Sequence, residues 1–406
     1  MKMRQRTLEI HDNSAGRYFR SLESFLGSEE IEKRLKQVDL EIRSATGAYL
    51  DYWVMPRLSW WLGFIEARAI IERNGTFRRA LTQRMEYPLQ TAIKLSAFHR
   101  NMPDFKKEEY RSRILSDGIL EPTLFEIDCA AHFWQLGYDI EWIESKSDVG
   151  EKTPEFIAIR DEVKIEIECK SKRSDAGRRI ERRLFYRVID NLLPIVQEFK
   201  LMGSIQMTIP LRIPAGNSWH NTTKETFREN LAAGAKSITL SDGTIIESNL
   251  SPIDGSTINI SDISKIYDQA SNPHAHYAIM GTRDGKSITN PISFKLVSEK
   301  PDTFLHNVLE SLRTAAGQFS GERAAIISCM IPGIYSFMGL QENSAIKSMT
   351  YHFFEKYAGE FINAVSYVSD PIREFDGSVI MSDRSSLSFR NHKYSEKFGP
   401  DIPIYQ

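Results

Sequence analysis

The chain has 406 residues, 41% of them hydrophobic and 11% aromatic, with a formal net charge of −2. That length holds two or three domains with packed cores and excludes wholesale disorder. The near-neutral charge excludes an overall basic field, so any grip on nucleic acid must come from a local patch.

In chain order, Met1 to Arg6 is basic but no apolar signal core follows it. Ser28-Glu29-Glu30-Ile31 opens an amphipathic helix, with Ser28 in capping position. Tyr49 to Arg73 places Trp53, Trp60, Trp61 and Phe64 at helical spacing, the pattern of a helix-bundle core. This apolar region is interrupted by Pro56, Arg57, Glu66 and Arg68, so it is not expected to span a membrane. A soluble cytoplasmic protein is the expectation. Residues 1–118 are read as an N-terminal helical domain, a candidate module for sensing or for binding a protein partner.

From Glu121 the pattern changes. Thr123 to Leu136 reads as a helix stopped by Gly137, and Tyr138 to Glu144 as a strand. Glu155 to Ile159 and Val163 to Lys170 form two strands of a hairpin, and Ser174 to Lys200 a long helix. Residues 119–210 are taken as the first part of an α/β core, and 211–300 as a β-rich insertion with hairpin signals at Ser241-Asp242-Gly243 and Arg283-Asp284-Gly285. Residues 301–370, helix then strand twice over, complete the core, and 371–406 form an irregular tail.

The chemistry concentrates in the hairpin. On a strand Glu166, Glu168 and Lys170 share one face, with Glu168 and Lys170 roughly 7 Å apart, while Ile165, Ile167 and Cys169 take the other. Carboxylates holding Mg²⁺ beside an ammonium form a minimal device for phosphodiester hydrolysis. Glu166 reads as solvated or as an outer contact. Cys129, Cys169 and Cys329 lack metal-finger spacing and read as buried hydrophobes in a reduced compartment. His274 and His276 have no ligand company and read as surface residues. No Walker-type glycine loop occurs. A basic run follows the hairpin, and Lys172 with Arg179, Arg183 and Arg187, the arginines at i, i+4 and i+8, is expected to bind a phosphate backbone.

The ordered set of Glu126 in Leu124-Phe125-Glu126-Ile127, then Pro154-Glu155, then Glu168-Cys169-Lys170 resembles the PD-(D/E)XK nuclease superfamily. The resemblance covers about residues 121–200. It implies a restriction-endonuclease-like α/β fold, a mixed sheet flanked by helices. It also implies a Mg²⁺-dependent (or Mn²⁺-dependent) endonuclease acting on DNA more than RNA, in an antiviral defence setting. Glu155, Glu168 and Glu126 would hold the metal and Lys170 would orient the attacking hydroxide; cutting both strands suggests a homodimer. This chain has Glu155 where the family has Asp, and the extra methylene moves the oxygens by about 1.5 Å. That departure supports the alternative, an inactive nuclease-like fold that binds nucleic acid or protein.

Overall fold

The computed structural model describes residues 12–44, 56–74, 83–99, 101–116, 120–144, 153–171, 179–259, 262, 275–284, 287–301, 303–331, 344–375, 380–399 and 402. The helices α1 (Asp12–Leu26), α2 (Ser28–Ser44), α3 (Pro56–Asn74), α4 (Gln83–Phe98), α5 (Asp104–Leu115) and α6 (Leu120–Gln135) come first. Strands β1 (Asp139–Trp142), β2 (Phe156–Arg160) and β3 (Val163–Ser171) follow. Next come α7 (Arg182–Glu198), β4 (Leu201–Ile209), α8 (Asn217–Ala232), β5 (Ser237–Thr239), β6 (Ile245–Pro252), β7 (Thr257–Asn259), β8 (Ala275–Asp284) and β9 (Ser287–Ser298). The chain ends with α9 (Phe304–Ala316), β10 (Ala324–Met330), α10 (Ser344–Lys356), β11 (Ile362–Phe375) and β12 (Ile380–Arg390). The class is mixed α/β.

Two compact units divide the chain: residues 1–174 with 305–406, and residues 175–304. In the first, a six-stranded sheet runs β1-β2-β3-β10-β11-β12. The β3–β10 and β10–β11 pairs are parallel and the others antiparallel. One sheet face, with Phe156, Ile165, Ile167, Cys169 and Ile326, buries in a single apolar cluster that also holds Trp60, Trp61 and Phe64 of α3 and Phe125 and Phe133 of α6. On the opposite face the hydroxyls of Thr350 in α10 and Tyr367 in β11 lie 2.8 Å apart. The N-terminal helices therefore share the sheet's core and are not a separate domain ending at 118. Trp60, Trp61 and Phe64 are core, as their spacing predicts, while Trp53 lies outside the described residues. Gly137, at φ 88°, ends α6, and the N–H of Tyr138 donates to the Phe133 carbonyl at 3.0 Å.

The second unit begins at Asp175, well before the expected 211. Its sheet runs β5-β6-β4-β9-β7 with β8 on β9, so β4, expected in the main core, is central here instead. Helix α7 belongs to this unit and starts at Arg182, later than expected. Its Phe185, Val188, Ile189 and Leu192 share a core with Ile205 and Met207 of β4 and Phe294 of β9. Both expected hairpins occur, at β5–β6 and β8–β9. Asp242 accepts a hydrogen bond from the Thr244 N–H at 3.0 Å, and Gly243 takes φ 84°. The expected irregular tail is partly ordered, because β12 pairs with β11 from Ala364 to Phe375, with a register shift between Val368 and Pro371.

Candidate metal and phosphodiester site

The β2–β3 hairpin sets the geometry. Its turn is tight, with Asp161 at φ 55°, a left-handed conformation that Asp tolerates. Phe156 pairs with Ile167, and the Glu155 N–H donates to the Ile167 carbonyl at 3.0 Å. Glu155 stands at the bend just before β2, close enough for its charge to act on Glu168. The Glu168 side chain is 0% exposed. One oxygen accepts from the Lys170 ammonium, and the other is buried with no hydrogen-bond partner. An orphan of this kind costs at least about 1–3 kcal/mol. Lys170 also donates to Gln318 Oε1 at 2.6 Å.

Gln318 reaches that position because the segment after α9 is pinned to β3. Glu166, 1% exposed, accepts from the Ser320 N–H at 2.9 Å and hydroxyl at 2.7 Å, with Arg323 at 3.3 Å. The solvated reading of Glu166 is thus corrected: β3 is buried on both faces from Ile165 to Cys169, and Glu166 is satisfied internally.

Glu126 projects from α6 into a different partnership. Arg113 of α5 forks onto both its oxygens, at 2.8 and 2.5 Å, and also donates to Glu109 at 2.8 Å. From the same helix the Lys106 ammonium lies 3.7 Å from Glu155 and 3.0 Å from Glu109. It sits over the rings of Tyr110 at 4.8 Å and Trp142 at 5.7 Å. Lys106, Tyr110 and Arg113, at i, i+4 and i+7, are one face of α5 turned toward the carboxylates. Sequence reasoning missed all three, and that spacing was the available signal.

Burial leads the electrostatics. It pushes the Glu168 carboxyl up to about 8, against the pull of Lys170 and with the charge of Glu155 adding. It pushes Glu126 up to about 7, again with Glu155 adding and Arg113 opposing. The Tyr110 phenol is held well above its ordinary range by burial, then by Glu126 and Glu155. Three carboxylates are brought into mutual electrostatic contact, each with its own cation.

Among the described residues no group of three or more His, Cys, Asp or Glu stands in a metal-holding arrangement. The fit is therefore carried by Glu155 and Glu168, hard oxygen donors suited to Mg²⁺ or Mn²⁺, one with an unsatisfied oxygen. Glu126 is occupied by Arg113. All three cysteines are buried thiols outside any disulfide, as expected.

The expected arginine stripe is not a single helical face. Arg179 precedes α7 and has a buried Nε without a partner, while Arg187 donates to the Ala215 carbonyl at 2.6 Å and to Asn217. Lys172 and the Arg183 side chain lie outside the described residues, as does His274. His276 is in β8, its ring 5.6 Å from that of Phe185. No helix among the described residues is long and apolar enough to cross a membrane. No protein-family model, curated protein or solved structure matches the chain.

Proposed function

We propose that the chain is a metal-dependent phosphodiesterase acting on nucleic acid, a DNA endonuclease of the PD-(D/E)XK kind with a restriction-endonuclease-like first unit. The observation that carries this reading is Glu168. A fully buried carboxylate, one oxygen on Lys170 and the other unpartnered, lies within electrostatic reach of Glu155. Such an arrangement costs stability unless it serves a ligand.

Glu155 and Glu168 would hold Mg²⁺ or Mn²⁺, which when bound supplies charge to a phosphate oxygen and lowers the pKa of water. Lys170, steadied by Gln318, would hold its ammonium where it offsets charge developing on the phosphate. The buried strand excludes bulk solvent, which strengthens each of these interactions. The homodimer and the setting in antiviral defence rest on family resemblance alone.

Cleavage of single- and double-stranded DNA and RNA, with Mg²⁺ or Mn²⁺, tests the reading. Wild type is expected to cut, and Lys170→Ala or Glu168→Ala to lose about 10²-fold or more while remaining folded. Equal products from wild type and Lys170→Ala would overturn the site reading, and none from either would leave the non-cutting binding module. Glu155, standing where the family has Asp, is the feature that favours that second reading.

A further inference from the structure

We propose that Lys106 sets the strength of divalent-metal binding, because its ammonium competes with the ion for Glu155. The inference rests on the metal-site reading above, and it concerns a helix, α5, that lies outside the hairpin carrying that reading.

Lysine is seldom buried, yet Lys106 is 2% exposed. Its ammonium is retained by Glu109 at 3.0 Å, by Glu155 at 3.7 Å, and by the faces of Tyr110 and Trp142. Seven residues along the same helix, Arg113 is locked onto both oxygens of Glu126. That lock fixes α5 against the hairpin's neighbour α6 and so holds the Lys106 backbone in place, while its own contacts hold the ammonium at Glu155. An ion arriving at Glu155 meets a unit positive charge already in place. In a buried setting that repulsion is poorly screened by salt. The result is an internal cation that neutralises Glu155 when no metal is bound and weakens the metal when it comes.

The test is a Mn²⁺ titration of the full chain, with free Mn²⁺ followed by electron paramagnetic resonance. Lys106→Met keeps the aliphatic stem against the rings and removes the charge. It is expected to bind Mn²⁺ at least about tenfold more tightly than wild type. Lys106→Arg, which keeps the charge, is expected to stay within about threefold of wild type. Adding Glu155→Gln to Lys106→Met is expected to abolish the gain. Should Lys106→Met fail to fold, Lys106→Gln replaces it with the same expectation. A folded neutral variant that binds no more tightly than a binding wild type overturns the inference and leaves the metal site standing. No uptake by wild type or by either neutral variant overturns both. Uptake by Lys106→Met alone supports both.

Discussion

Glu168 and Glu126 would ionise near their ordinary value of 4.5 in an unfolded chain, whereas burial holds them at about 8 and about 7 in the folded one. The folded protein therefore binds the extra protons. The stability this contributes is fully present below about 4.5 and is lost as pH rises through 7 to 8. Thermal midpoints should fall between pH 5 and pH 8.5, and Glu168→Gln, which mimics the protonated form, should flatten that fall. Parallel curves for the two proteins would remove Glu168 as the cause. Divalent-ion uptake should likewise release protons near pH 7, since the ligand must be ionised. At this level the sequence carried Glu126, Glu155, Glu168 and Lys170, because strand parity and motif order depend on short separations. It did not carry Gln318, which reaches Lys170 only through the Glu166–Ser320 clamp from far along the chain. Nor did it reveal that Arg113 consumes Glu126, since helix packing decides that pairing.

Helices α3 and α4 approach each other at Gly63, where an added Cβ would stand 2.1 Å from the Arg84 carbonyl oxygen. Gly63→Ala must push these helices apart and should destabilise the protein by about 1–3 kcal/mol, read as a lower urea midpoint. An unchanged midpoint would mean the helices separate freely. Elements with a strong apolar period were legible: α3 through Trp60, Trp61 and Phe64, α6 through its Gly137 stop, and the β2–β3 hairpin through its alternation. Helix α8 was not, because only His220, Thr223 and Phe227 of its polar sequence are buried. Strand β12 was hidden for a related reason: its pairing with β11 is settled across strands, not by its own Ser-rich pattern.

The two units have separate apolar cores, one gathered on Trp60, Phe125 and Ile167, the other on Phe185, Ile205 and Phe294. Calorimetric unfolding should therefore depart from a single two-state transition; one endotherm with equal calorimetric and van't Hoff enthalpies would contradict that independence. The α/β class was legible from alternating helices and strands, while the boundary at 175 was not, since α7 and β4 continue the same alternation into the second core. That boundary bears on how the chain is made. Strand β3 ends at Ser171 and its parallel neighbour β10 begins at Ala324, with the whole second unit emitted between them. During synthesis α5, α6 and the hairpin can gather Glu126, Glu155 and Glu168 early, yet β3 waits with an unpaired flank until the ribosome delivers Ala324 onward. Lys170 meanwhile lacks Gln318, so the last polar contact of the site forms only after the second unit has emerged.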